Sequence, residues 1–152
     1  MLNSFVPTEV FNSMFNFNEA SAYPHPEEFK VMRPEYTELE EEGLWLAVIN
    51  ISPFRVSGRS LTKAGSRRAA LYEADKTYRS YHPSYAVQNP YPEEFVDTEG
   101  KPWKRLPTNL RLKYQADYEF TLEDGDTDYA SIEDMLAWDV RYQEEGQENG
   151  DD

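Results

Sequence analysis

Residues 110–122, LRLKYQADYEFTL, alternate apolar and polar side chains without a break. Leu110, Leu112, Tyr114, Ala116, Tyr118, Phe120 and Leu122 stand against Arg111, Lys113, Gln115, Asp117, Glu119 and Thr121. Successive side chains of a strand point to opposite faces, so a period of two collects the whole apolar set on one side of a sheet. The spacing predicts one strand with one wet face: Tyr114, Tyr118 and Phe120 buried, Lys113, Asp117 and Glu119 outward. The preceding FVDTEGKPWKR, residues 95–105, supplies a turn at Glu99 and Gly100. Pro102 lacks a backbone donor and confines the return segment to an edge or a short pairing, which together predicts an antiparallel meander.

Residues 44–51, LWLAVINI, form an apolar run stopped by Pro53 and read as a central strand buried on both faces. A helix is expected from about Ser66 to Arg79 on the spacing of Ala69, Ala70, Leu71, Ala74 and Tyr78, with Pro83 beyond its end. A second helix begins at Ser131, whose hydroxyl caps while Asp134 occupies the reciprocal position. Ile132, Met135, Leu136 and Val140 give it an apolar stripe, and Gly146 ends it. Val10–Phe17 reads as a short helix or a strand, and residues 80–92, with three prolines, as an ordered aromatic loop. Pro26-Glu27-Glu28-Phe29 recurs as Pro92-Glu93-Glu94-Phe95, and proline followed by acids suits a single helical turn. The expected fold class is α+β: one domain over residues 1–145, an antiparallel sheet of three to five strands covered on one face by two main helices. Residues 146–152 form a frayed acidic tail.

Composition narrows the function. The chain has 152 residues and a formal charge of −14, yet 14% of it is aromatic, too much for a chain unable to collapse. It contains no cysteine, which excludes disulfides, thiolate metal sites and thiol nucleophiles and is compatible with a reducing compartment. No apolar stretch approaches the roughly 20 residues of a membrane span, and the first twenty residues do not read as a signal peptide, so a cytoplasmic protein without membrane partners is expected. The two histidines, His25 and His82, sit in no nucleophile or metal pattern, and there is no H-E-x-x-H, G-x-S-x-G, G-x-G-x-x-G or Walker loop. No catalytic residue, metal or cofactor is assigned, and an enzyme is the less favoured class. EDGDTDY resembles a calcium loop only superficially: counting from Asp124, Tyr129 falls where glycine is needed and Met135 where a closing glutamate is needed.

The charge is segregated. Residues 1–54 balance at −7, residues 55–113 at +6 and residues 114–152 at −13. Either the basic middle is a ligand site beside an acidic partner surface, or the acidic end folds back on the middle. For the first, SPFRVSGRSLTKAGSRR places Arg55, Arg59, Lys63, Arg67 and Arg68 between a strand and a helix start. A glycine- and serine-rich loop feeding a helix amino terminus presents N–H groups to a phosphate. Tyr72, Lys76 and Arg79 follow and add a stacking ring among cations, the combination that single-stranded nucleic acid requires. The same loop would serve a small enzyme acting on a phosphorylated ligand.

The rival site is acidic. Glu38, Glu40, Glu41 and Glu42 form one block, and Asp124, Asp126 and Asp128 lie in another. Duplex DNA carries a charge about every 1.7 Å of axis, so a held carboxylate array occupies the basic site of a DNA-binding protein through the same Lys and Arg. In composition the chain is similar to the DNA-mimicking inhibitors of phages and mobile elements: small, acidic, aromatic and without catalytic motifs. The leading expectation is a non-enzymatic protein that binds and modulates a protein partner with a basic surface, such as a DNA- or RNA-binding enzyme. Direct nucleic-acid binding through the basic middle is the alternative.

Overall fold

Two antiparallel sheets with a long helix packed between their cores make up residues 22–143, the part of the chain that the computed structural model describes. The expectations for residues 10–17 and 146–152 lie outside the described residues. The first sheet runs β1 (Glu35–Leu39), β2 (Leu44–Ile51), β3 (Phe54–Ser60), with β2 central as its apolar run requires. Only one of its faces is sealed, a correction to burial on both: Ala47 and Ile49 are buried, whereas Leu44, Leu46 and Val48 opposite them are half-buried.

Before this sheet comes a single helical turn, α1 (Pro26–Lys30), and after it the 19-residue α2 (Lys63–Tyr81). Thr62 caps α2 by accepting the Gly65 N–H at 2.9 Å, so the helix starts three residues before Ser66. It presses directly on β3 because Gly58 has no side chain: a Cβ there would lie 2.2 Å from the Ala70 nitrogen. Ala70 and Ala74 are buried on that side with Tyr23, Phe29, Ile49 and Val56, forming one core.

The second sheet is the expected meander with one strand more: β4 (Glu94–Val96), β5 (Pro102–Arg105), β6 (Tyr118–Thr121) and β7 (Thr127–Ala130), in that order. Phe95 faces Trp103 and Trp103 faces Phe120 across the strands. These rings, with Tyr91, Tyr118, Ile132, Met135 and Leu136, make the second core, against which Ala69 and Tyr72 of α2 pack. The β4–β5 turn is tied by Asp97, only 4% exposed. Its carboxylate accepts the Glu99 and Lys101 N–H groups and the Trp103 indole N–H, at 2.8–2.9 Å. The class is α+β, with the strands divided between two sheets rather than gathered in one.

The alternation at 110–122 is only half strand. Residues 108–114 form α3 (Thr108–Tyr114), ended by Gln115 at φ 53°, and the strand begins at Tyr118. Leu112 is 77% and Tyr114 41% exposed, against 0% for Tyr118 and 6% for Phe120. No residue of α3 is buried, so no core disciplines its pattern, and the alternation there carries no information about a face. The last helix, α4 (Ile132–Ala137), has the expected start: Ser131 Oγ accepts the Asp134 N–H and the Asp134 carboxylate accepts the Ser131 N–H. It stops nine residues short of Gly146, because Asp139 adopts φ 57° and the N–H groups of Asp139 and Val140 return to Leu136 and Met135. The repeated PEEF tetrapeptide takes two structures. The first copy is α1, capped by His25, and the second runs into β4 because Phe95 stacks between Tyr91 and Trp103.

Candidate functional site

The sheet register separates the cations of the middle segment. Arg55 and Arg59 pair with Asn50 and Leu46, on the face of the first sheet opposite α2, whereas the remaining cations lie along the helix. Arg59 reaches Glu42 at 3.4 Å. Lys63 lies over the rings of Tyr36 and Trp45, 5.6 and 5.0 Å from their centroids. Arg67 donates to the Lys30 carbonyl of α1, and Arg79 is exposed. Arg68, Tyr72 and Lys76 recur every four residues and form one stripe, which faces the acidic end of the chain. Arg68 pairs with Asp139 and Lys76 with Glu133. Burial alone would raise the Glu133 carboxyl, but the Lys76 hydrogen bond and the positive helix start outweigh it and hold the group below its ordinary range. Tyr72 is pushed up to about 12 by burial and then by the charge of Glu133.

The place where a phosphate would sit is already furnished. Gly58 is a mid-strand contact, and Gly65 lies against side chains: a Cβ on it would fall 2.2 Å from Ser60 Oγ and 2.8 Å from Asp139 Oδ1. Thr62, the cap of α2, donates its hydroxyl to Asp139 at 2.9 Å. The Asp139 carboxylate thus sits against the first turn of α2 with Arg68 beside it, the position in which an anion meets a helix dipole. Ser60, fully buried, donates to the Leu136 carbonyl at 2.7 Å, and the Leu61 N–H donates to Ala137. The carbonyl end of α4 and the N–H end of α2 therefore share one polar joint. Asp139 carries no motif; the only hint was an aspartate, a residue that tolerates the left-handed region, just beyond an apolar helical stripe.

The carboxylates occupy two hairpin turns on different sheets. Glu38 is the penultimate residue of β1, and Glu40, Glu41 and Glu42 lie in the β1–β2 turn. Asp124 and Asp126 belong to the β6–β7 turn, where Asp124 accepts the Asp126 N–H, and Asp128 in β7 accepts the Tyr129 N–H. All seven are exposed, and among the described residues only Glu42 of the seven has an ion pair. The structure therefore provides two acidic tips rather than one continuous array.

A surface that alternation had hidden lies on the second sheet. Glu94, Lys104, Glu119 and Tyr129 are successive cross-strand partners on its outer face. Val96, Pro102, Thr121 and Thr127 follow beside them, all exposed. Tyr114, the first residue beyond the sheet's core pattern, stacks on Tyr129 with centroids 4.4 Å apart and planes 14° from parallel. Lys113 Nζ lies 5.5 Å from the Tyr114 centroid. Burial, the contact with Tyr114 and the charges of Glu119 and Asp128 raise the Tyr129 phenol above its ordinary value. Concavities of about 560 and 490 Å³ flank this face, one lined by Glu93, Lys104, Arg105 and Arg111, the other by Lys101, Pro102, Thr121 and Glu123.

Among the described residues no group of three acids or histidines is disposed to hold a metal, and no helix is long and apolar enough to cross a membrane. No protein family, curated protein or solved structure matches the chain.

Proposed function

We propose that this chain is a small cytoplasmic interaction protein, without catalytic activity, that lays its acidic surface on the basic, nucleic-acid-binding site of a partner protein and so modulates it. The observation that carries the reading is the uneven spending of charge. Three cations of the basic middle are engaged internally, Arg68 with Asp139, Lys76 with Glu133 and Arg67 with the α1 carbonyl, while Arg55 and Arg79 stay exposed. The carboxylates of the two hairpin tips stay exposed, with one ion pair among seven. Exposed carboxylates contribute little to stability, so their grouping on two hairpins fits recognition better than folding. The internal pairing also weighs against direct nucleic-acid binding by the middle segment.

The test is association with the basic protein captured from the native host. Binding should be fast, weaken with added salt, and be displaced by duplex DNA. Exchanging Glu40, Glu41 and Glu42 for Lys, or separately Asp124, Asp126 and Asp128, should abolish binding in at least one set while the fold survives. A ternary complex of partner, DNA and this protein would refute mimicry. Binding of single-stranded DNA at low salt, lost in R55A/R59A, would instead favour the nucleic-acid reading.

A further inference from the structure

We propose that the concavity of about 560 Å³ at the end of β5 is a binding site for a phosphate dianion, free or at the end of a phosphorylated ligand, anchored by the guanidinium of Arg105 and completed by Arg111 and Thr108. The inference is independent of the reading above and uses none of its residues.

Arg105 is the last residue of β5 and stands opposite Tyr118, which is fully buried, so its side chain leaves from the core face of the strand. It is half-buried, and its charge reaches the phenols of Tyr72 and Tyr118. Among the described residues no carboxylate lies within ion-pair distance of it, and its Nε is buried without a hydrogen-bond partner. A charge taken partly out of water is costly unless a partner compensates it, so a half-buried guanidinium with an unmatched donor points to an external counterion.

The charges around the concavity agree in sign. Lys104 stands between Glu94 and Glu119 in the sheet register, and these three offset one another on the outer face. What remains is Arg105 and Arg111 against Glu93, whose carboxylate is exposed. Asp117, the acid that acts on both phenols, is committed to the Ile132 N–H at 2.8 Å. A guanidinium presents a planar fork of donors that matches two oxygens of a phosphate, and a second guanidinium takes up the rest of the dianion's charge. Arg111 is held beside the site by its own bond to Thr108 Oγ1, at 2.8 Å, which leaves the Thr108 hydroxyl proton to donate to a ligand. A carboxylate, with one charge and two oxygens, would engage only one of the two arginines. Glu93 is the counterweight: it lies across from Arg105, whose backbone N–H donates to the Glu93 carbonyl at 2.8 Å, and it opposes an incoming anion.

The experiment follows the arginine Nε–H signals of the full chain by proton–nitrogen correlation NMR at low ionic strength, with inorganic phosphate, phenyl phosphate or acetate added. The Arg105 signal, identified by its loss in R105M, should move with phosphate and saturate. Read at Arg111, R105M should bind phosphate at least about tenfold more weakly, the scale of one charge-assisted contact. E93Q should bind about threefold more tightly, the scale of one exposed charge pair. R105M removes an unpaired charge and keeps its bulk, so its urea midpoint without phosphate should equal or exceed that of the unmodified protein, and added phosphate should raise the midpoint of the unmodified protein only. If R105M does not fold, R111M read at the Arg105 signal serves instead and should weaken binding similarly. Phenyl phosphate binding at least as tightly as phosphate assigns a phosphorylated ligand, and weaker binding assigns the free anion. A stationary Arg105 signal, equal binding of acetate, or an affinity unchanged in these variants would overturn the site and leave the acidic-surface reading standing.

Discussion

Replacing Asp139 with Asn removes one charge from the joint between α2 and α4 with little change in shape. Asn tolerates the left-handed backbone at φ 57° and can still accept from Thr62, so neither strain nor a lost cap confuses the result. What disappears is the carboxylate facing Arg68, in a pair whose side chains are 15% and 14% exposed. Removing one member of a fully buried pair costs about 3–5 kcal/mol, because the other charge stays desolvated. Residual solvent access and the further contacts of Arg68 lower the expectation to about 2–4 kcal/mol. That is a large share of the roughly 5–15 kcal/mol by which a domain is stable. Urea unfolding followed by tryptophan fluorescence would report it as a lower midpoint at constant slope. The companion R68M/D139N removes both charges, and it should be at least about 1 kcal/mol more stable than D139N alone, since no desolvated charge remains. A cost below about 1 kcal/mol for D139N, or a double variant worse than the single, would refute the claim that this ion pair holds the joint between α2 and α4.

Three further outcomes follow from the packing. Phe120→Ala should cost about 3–5 kcal/mol and Leu112→Ala less than about 0.5 kcal/mol in the same unfolding assay, since one is in the core and the other on an exposed helix. Gly58→Ala should destabilise by more than about 2 kcal/mol, because its methyl must displace the α2 backbone rather than a flexible side chain; a smaller loss would mean the helix does not press on β3. Tyr72 and Tyr85 are pushed up to about 12, by burial first and, for Tyr85, by its bond to Asp75. The unfolded chain therefore releases phenolic protons that the folded chain holds: this contribution is intact below about pH 10 and is lost as pH rises from about 10 to 12, seen as a falling unfolding midpoint.

Much of the local architecture was legible because it depends on short-range chemistry. Ser131 with Asp134 is a reciprocal capping pair within one turn, Glu99-Gly100 turns a hairpin, and the run at 44–51 has no comfortable place but the middle of a sheet. Alternation was reliable at Tyr118 and Phe120, where a core sits on one side, and misleading at Leu110, Leu112 and Tyr114, which touch no core at all. A pattern reports burial only where burial exists. The misreading also hid the Tyr114–Tyr129 pair by assigning its first ring to the interior.

Composition and charge by themselves determined that this chain is acidic, rich in aromatic residues and free of thiol chemistry, and local pattern determined an α+β class with its hairpins and the start of α4. Tertiary structure alone decided which cations of the basic middle pair with the acidic end. That choice depends on Asp139 and Glu133 meeting Arg68 and Lys76 across more than fifty residues of chain. It decided equally that Pro26–Phe29 coils while Pro92–Phe95 extends. The physical reason is the same in both cases: a helical turn or an ion pair is worth about 1 kcal/mol on its own, and the packing around it, worth several times more, chooses among the local alternatives.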